Sequence, residues 1–257
     1  MMRARKKDAW GSRFSFSELE RFLRFCKRVA PVIPLRDFKK GKDRCIILKQ
    51  DADLDLYPSF EFARIQKSLG VRSTFFVLTT SHTYNPQSAP LRRMLKEMSD
   101  DGFEIGLHFD PSVYGRASKA ELERAVRDEC AVLERITGCP IRSIALHNPS
   151  ITGEYPIFKG YLNTHDKAFF SNERYISDSM RVDPMLHPYR GKDPYAFGRN
   201  SKKFPLLITL HPEQFLPCGG DYADTIARYQ SRMAVEIMRA YLDLLDTIRR
   251  EKLYSIK

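Results

Sequence analysis

The chain has 257 residues, 42% hydrophobic and 29% charged, which is the make-up of a globular protein with a sizeable core rather than a disordered or fibrous one. Its net charge of +11 and pI near 9.4 favour an anionic partner. The basic residues are scattered, dense only at Arg3 to Lys7 and Arg36 to Arg44, and no aromatic-basic module accompanies them, so nucleic acid is disfavoured.

The basic start MMRARKKDAWGSRF is not followed by an apolar h-region, so no secretory signal is read and cytoplasmic residence is expected. A helix is predicted from Ser17 to Ala30, with Ser17 and Glu20 as a capping box and Pro31 and Pro34 beyond its end. Residues 1–43 are therefore expected to form a basic arm and helix appended to a main domain of residues 44–257.

From Cys45 the chain alternates. Cys45 to Leu48 is an apolar run read as a buried strand, followed by a helix over Pro58 to Leu69 that Gly70 ends. Ser73 to Leu78 is a β-branched and aromatic strand, Ala89 to Ser99 a helix, and Phe103 to His108 a third strand. Ser118 and Glu121 form a second capping box at the head of a helix that runs to Thr137 and stops at Gly138. Strands follow at Ile141 to Leu146, Tyr175 to Asp178 and Leu206 to Leu210, within a less regular stretch from Asn148 to Lys203, and a helix closes the chain over residues 221–253.

Alternating strands and helices specify an α/β fold with a parallel sheet, whose functional residues gather at the C-terminal ends of the strands. Polar residues do follow the strands: Asp51, Asp53 and Asp55 after the first, His108 and Asp110 after the third, then His147, Asp178 and His211. Taken singly, an Asp there caps a turn or helix, as expected for Asp55, and a lone His is a hydrogen-bonded structural residue. Taken together, imidazoles and carboxylates converging on one face are the donors of a divalent zinc site with an open position. Five cysteines, odd in number and without a C-x-x-C pair, are read as reduced and mostly structural. Loop aromatics Phe109, Tyr114, Tyr155, Phe158, Tyr161 and Tyr189 are candidates for stacking on sugar rings and equally for core packing.

The segments LKQDADLDLYPSFEFARIQKSLGVRSTFFVLTTSHTYN and DGFEIGLHFD, followed by ALHNPS, ISDSM and ITLHPEQ, resemble the NodB-homology polysaccharide deacetylases in motif order from Cys45 to Phe215, about two thirds of the chain. The resemblance implies a distorted (β/α) barrel of seven parallel strands, with one divalent metal, zinc first, at its mouth. It implies Asp51 as base, Asp53 and His108 as metal ligands, His211 as general acid and Asp178 as the residue that orients it. Such an enzyme removes an N-acyl group, acetyl or formyl, from an amino sugar of a surface glycan, through a metal-activated water. Two departures stand out. Ser112 occupies the place of an expected second histidine, so His147 is taken as the third ligand, with Asp110 competing, and Gln50 stands before the first motif in place of a histidine. A sugar-binding protein without hydrolysis, or a metal-free C–N hydrolase, is the alternative that these departures favour. An amino-sugar or glycan substrate, nucleotide- or lipid-linked, with contact at a membrane surface, fits the positive charge.

Overall fold

The computed structural model describes residues 11–42, 44–149, 153–182 and 186–251. The basic cluster Arg3 to Lys7 lies outside them. Eight strands are found among the described residues: β1 (Val32–Ile33), β2 (Ile46–Ala52), β3 (Thr74–Val77), β4 (Glu104–Phe109), β5 (Ser143–Leu146), β6 (Leu162–Asn163), β7 (Tyr175–Ser177) and β8 (Leu206–Leu210). The helices are α1 (Phe16–Val29), α2 (Tyr57–Ser68), α3 (Ala89–Asp100), α4 (Lys119–Thr137), α5 (Pro194–Asn200) and α6 (Tyr222–Glu251).

Seven strands form one parallel sheet in the order β6-β5-β4-β3-β2-β8-β7, and β1 pairs with β2. The sheet curls into a distorted (β/α) barrel that stays open between β6 and β7, since no pairing joins those two among the described residues. Side chains alternate across such a sheet with a period of two. Ile46, Leu48, Phe75, Val77, Leu107 and Ile208 face the helices in the main core. Ile47, Phe76, Ala145 and Leu207 form a second cluster, the lower filling of the barrel. Lys49, Asp51, Gly106, His108 and Thr209 share the parity of that inner face, so polar residues sit directly above apolar ones along single strands.

The segment before β2 closes the barrel floor. Leu35 joins the inner cluster, its N–H donating to Thr74 Oγ1 (2.8 Å), while the Arg36 N–H donates to Glu104 (2.7 Å). Buried Glu104 also accepts from Thr74 (2.7 Å) and Ser143 (2.5 Å). Burial raises its pKa, against the pull of those donors and of Arg36.

The helix ends follow local chemistry, with one correction. Ser118 and Glu121 make the expected capping box, and Gly138 terminates α4 at φ 72°, a left-handed position that glycine adopts without strain. In α1 the cap is Ser15, which accepts from the Glu18 N–H at 3.2 Å; Ser17 lies inside the helix and meets Ser15 Oγ instead. The sequence offered two serines two residues apart. The bridge between Ser15 and Leu216 selects the earlier one by fixing where the chain leaves the body. Strands β1 and β6, two residues each, and the seven-residue α5 are too short to leave a periodic signal. Far along α6, Val235, Ile237, Met238, Tyr241, Leu242 and Leu244 are more than half exposed. No described helix is long and apolar enough to cross a membrane.

Candidate active site

The mouth is assembled at the C-terminal ends of β2, β4, β5 and β8. Asp51 ends the inward row of β2, and Asp53 follows two residues later on the same side. His108 is on β4, His147 follows β5, and His211 follows β8. The backbone N–H of His147 donates to Phe109 O (2.8 Å), carrying the β4–β5 ladder one step past the strand and fixing where that histidine stands.

Asp53, His108 and His147 each offer a donor atom, and these atoms lie within 4.8 Å of one another. His108 Nε2 is 3.0 Å from Asp53 Oδ1, His147 Nδ1 is 3.5 Å from the same oxygen, and the two imidazole nitrogens are 3.3 Å apart. His108 Nδ1 lies 3.1 Å from Ala145 O; donating its proton there leaves Nε2 as the free lone pair. The side-chain amide of Asn148, itself at φ 45°, lies 2.8 Å from His147 Nε2 and holds the other side of that ring. One carboxylate and two imidazoles turned toward a common point are donors that fit a divalent transition metal.

Asp110 is not in this group. Its carboxylate caps the short turn Pro111–Tyr114, accepting from Ser112 N (2.9 Å) and Ser112 Oγ (2.6 Å). Ser112 is exposed and thus partners Asp110 rather than the cluster. Gln50, with the opposite parity to Asp51, points away from the mouth and accepts from Ser73 Oγ at 2.9 Å behind the sheet. Asp55 also faces elsewhere, bound to Arg232 (2.7 Å) and accepting from the Tyr57 N–H.

Two ionic pairs flank the cluster. Lys49 Nζ is 2.8 Å from Asp51 Oδ2, with both side chains buried. Burial alone would raise the Asp51 pKa, but Lys49, His108 and His211 overcome it and the value is lowered. On the other flank, His211 Nδ1 donates to Asp178 Oδ1 at 2.5 Å, and the His211 backbone N–H to Asp178 Oδ2 at 3.1 Å. Asp178 is fully buried with both oxygens on this histidine, and Nε2 is turned toward Asp53 Oδ2, 3.6 Å away. Burial would lower the His211 pKa; Asp178, with Asp53 and Asp51, carries it well above the ordinary value.

Lys49 and Glu213 lie within the quoted motifs but carry no role in the sequence analysis. Lys49 was legible in principle, two residues before Asp51 on the same strand face. Glu213, beside His211, is 5% exposed with Oε2 unpartnered among the described residues, and burial followed by Asp53 raises its pKa well above the usual range. For the six loop aromatics the core-packing alternative holds for all but one. Phe109, Phe158 and Tyr189 are buried core and only Tyr155 lines the mouth, where it joins His165, Phe170 and Tyr175. Two cavities meet at the cluster, one of about 600 Å³ walled by these aromatics and one of about 1270 Å³ on the side of Thr80, Asp110 and Glu213.

No protein-family model matches the chain, and no curated protein matches it by sequence. Solved structures with a similar chain course include deacetylases and esterases of carbohydrates and a pseudoenzyme of carbohydrate esterase family 4. Peptidoglycan deacetylase PdaC from Bacillus subtilis is 16% identical, over 82% of this chain and 99% of that one, with a TM-score of 0.45. The polysaccharide deacetylase Bc1974 from Bacillus cereus is 15% identical over 65% and 78%, with a TM-score of 0.42. A family 4 carbohydrate esterase from Bacillus anthracis is 17% identical over 92% and 88%, with a TM-score of 0.40. These likenesses are distant, and what the mouth does has to follow from its own side chains.

Proposed function

We propose that this mouth is the active site of a metal-dependent hydrolase that removes an N-acyl group, acetyl first, from an amino sugar. One observation carries the reading: a three-donor cluster of Asp53, His108 and His147 stands between a buried carboxylate held by Lys49 and an imidazole held by Asp178. Those three residues would hold the metal, zinc first, whose contribution when bound is to polarise the acyl carbonyl and make water acidic enough to ionise near neutral pH.

The remaining chemistry belongs to the chain. Asp51 takes the proton of the attacking water as its oxygen bonds to the acyl carbon. The carboxylate must be ionised to do so, and Lys49 favours that form. As the C–N bond breaks, His211 gives its Nε2 proton to the nitrogen, because an amine anion is too poor a leaving group to depart unaided. Asp178 keeps Nδ1 protonated and the ring aimed, leaving Nε2 to exchange the proton. The products are the carboxylic acid and the free amine, so water is the only co-reactant. A cytoplasmic step on a nucleotide- or lipid-linked amino sugar of a surface glycan is the setting we propose.

The test is metal content per chain beside acetate release from N-acetylated sugars, for the wild type, H108A and H147A. One equivalent in the wild type, lost in both variants together with hydrolysis, is expected. No metal after incubation with zinc would sink this function and move a binding-only or metal-free protein forward.

A further inference from the structure

The smaller cavity, about 600 Å³, has a wall and a charge that hydrolysis of an acyl group does not require. Its wall is a continuous run of rings. Tyr155 and His165 have centroids 5.5 Å apart, His165 and Phe170 4.8 Å, and Phe170 and Tyr175 4.7 Å. Burial, then Lys49, lowers the His165 pKa to about 3, so at neutral pH this ring is an uncharged member of the wall. The rings come from β7 and the segments before and after β6, the two strands that no pairing joins among the described residues.

Arg190 lines the same cavity. It is exposed, no acidic side chain pairs with it among the described residues, and its backbone is left-handed at φ 53°. A non-glycine residue there is strained, and the structure maintains it in a turn where the Arg190 N–H donates to His187 O at 2.9 Å. The carboxylates deeper in the cavity do not need this cation: Asp51 has Lys49, and Asp53 has the two imidazoles.

We propose that the aromatic wall and Arg190 form a subsite for an oxyanion, phosphate or carboxylate, carried by the sugar whose acyl group lies at the cluster. This deepens the proposed function and rests on it. A sugar ring lies flat on aromatic faces, and a guanidinium binds planar or tetrahedral oxyanions through paired N–H groups. The chain's net charge of +11 draws such a substrate in.

Three probes separate the parts: N-acetylglucosamine 1-phosphate, N-acetylmuramic acid with its carboxylate, and neutral methyl N-acetylglucosaminide. Dissociation constants are read by NMR titration of the zinc-incubated full chain, and acetate release is followed separately in the same samples. One of the anionic probes should bind about 10-fold more tightly than the neutral one, as charged hydrogen bonds do, and the favoured anion identifies the source. In R190L that advantage should fall below about 3-fold, with R190K intermediate. Y155A should weaken all three probes alike, since stacking is blind to charge. Equal binding of anionic and neutral probes by the wild type, or a preference that survives R190L, would overturn the oxyanion site; unchanged affinities in Y155A would overturn the wall. Anion-selective binding without acetate release would leave the subsite standing and remove the deacetylase reading, and hydrolysis without anion preference would do the reverse.

Discussion

Replacing Gly106 by alanine should destabilise the protein and displace the histidine two residues further along the strand. Gly106 sits on the inner face of β4, where an added Cβ would lie 2.5 Å from Phe76 Cε1, 2.7 Å from Cδ1 and 3.1 Å from the carbonyl oxygen of Ser143. Ordinary carbon contacts begin near 3.5 Å, so the ring must retreat by roughly 1 Å. It has nowhere to go. Phe76 is fully buried in a cluster with Leu35, Ile47, Ala145 and Leu207, and Lys49 Nζ stands 5.2 Å from its ring centroid. Overpacking of this kind costs about 1–3 kcal/mol, and for a chain of this size each kcal/mol lowers Tm by about 2–4 °C. G106A should therefore melt some 2–12 °C lower by calorimetry. Because the displaced ring presses on Lys49, the partner of Asp51, activity should fall as well. Trimming the ring should relieve the clash, so G106A/F76L should be more stable than the sum of the single changes predicts, with a coupling of about 1 kcal/mol or more. An unchanged Tm in G106A, or strict additivity in the double variant, would refute the packing argument.

Four further outcomes are expected. H211A should lower turnover about 10²–10⁴-fold while metal content stays at one equivalent; an unchanged rate removes His211 from proton transfer. K49M should destabilise by about 3–5 kcal/mol in denaturant unfolding because it leaves Asp51 buried without its partner, and K49M/D51N should recover most of the loss. Zinc at 100 times its dissociation constant should add about 2.7 kcal/mol of stability to the wild type and almost none to H108A, read as a Tm shift. Burial raises the Glu104 pKa above its ordinary 4.5, so the folded state holds that proton more tightly than the unfolded chain. The resulting stability is full below pH 4.5 and is lost as pH rises through the folded pKa, so wild type should lose ground to E104Q as pH rises above 4.5. A stability difference between the two that is constant with pH would contradict this.

Much of the barrel could be read from local sequence because its causes are local. Apolar runs at Cys45 to Leu48, Phe103 to His108 and Leu206 to Leu210 fall on β2, β4 and β8, since a strand buried on both faces must be apolar through most of its length. Capping at Ser118 and the stop at Gly138 are decided within a few residues and were equally legible. So was the gathering of Asp51, Asp53, His108, His147, Asp178 and His211 at one mouth, because parallel strands expose their C-terminal ends on the same side.

What neighbours a side chain acquires is a different matter. Parity along β2 sends Gln50 behind the sheet and Lys49 beside Asp51, and only the set of strand partners shows which parity faces inward. By sequence His147 is preferred as the third ligand, with Asp110 competing. The turn that gives Asp110 to Ser112, and the ladder step that carries His147 over His108, separate them. The aromatic wall joins residues from before and after β6 with the first residue of β7, and nothing in the local chain marks Tyr155 for that wall while sending Phe158 into the core. Period, capping and strand burial are properties of a short stretch of chain, and sequence by itself determined them; pairing across strands depends on which distant segments meet, and only the tertiary structure decided it.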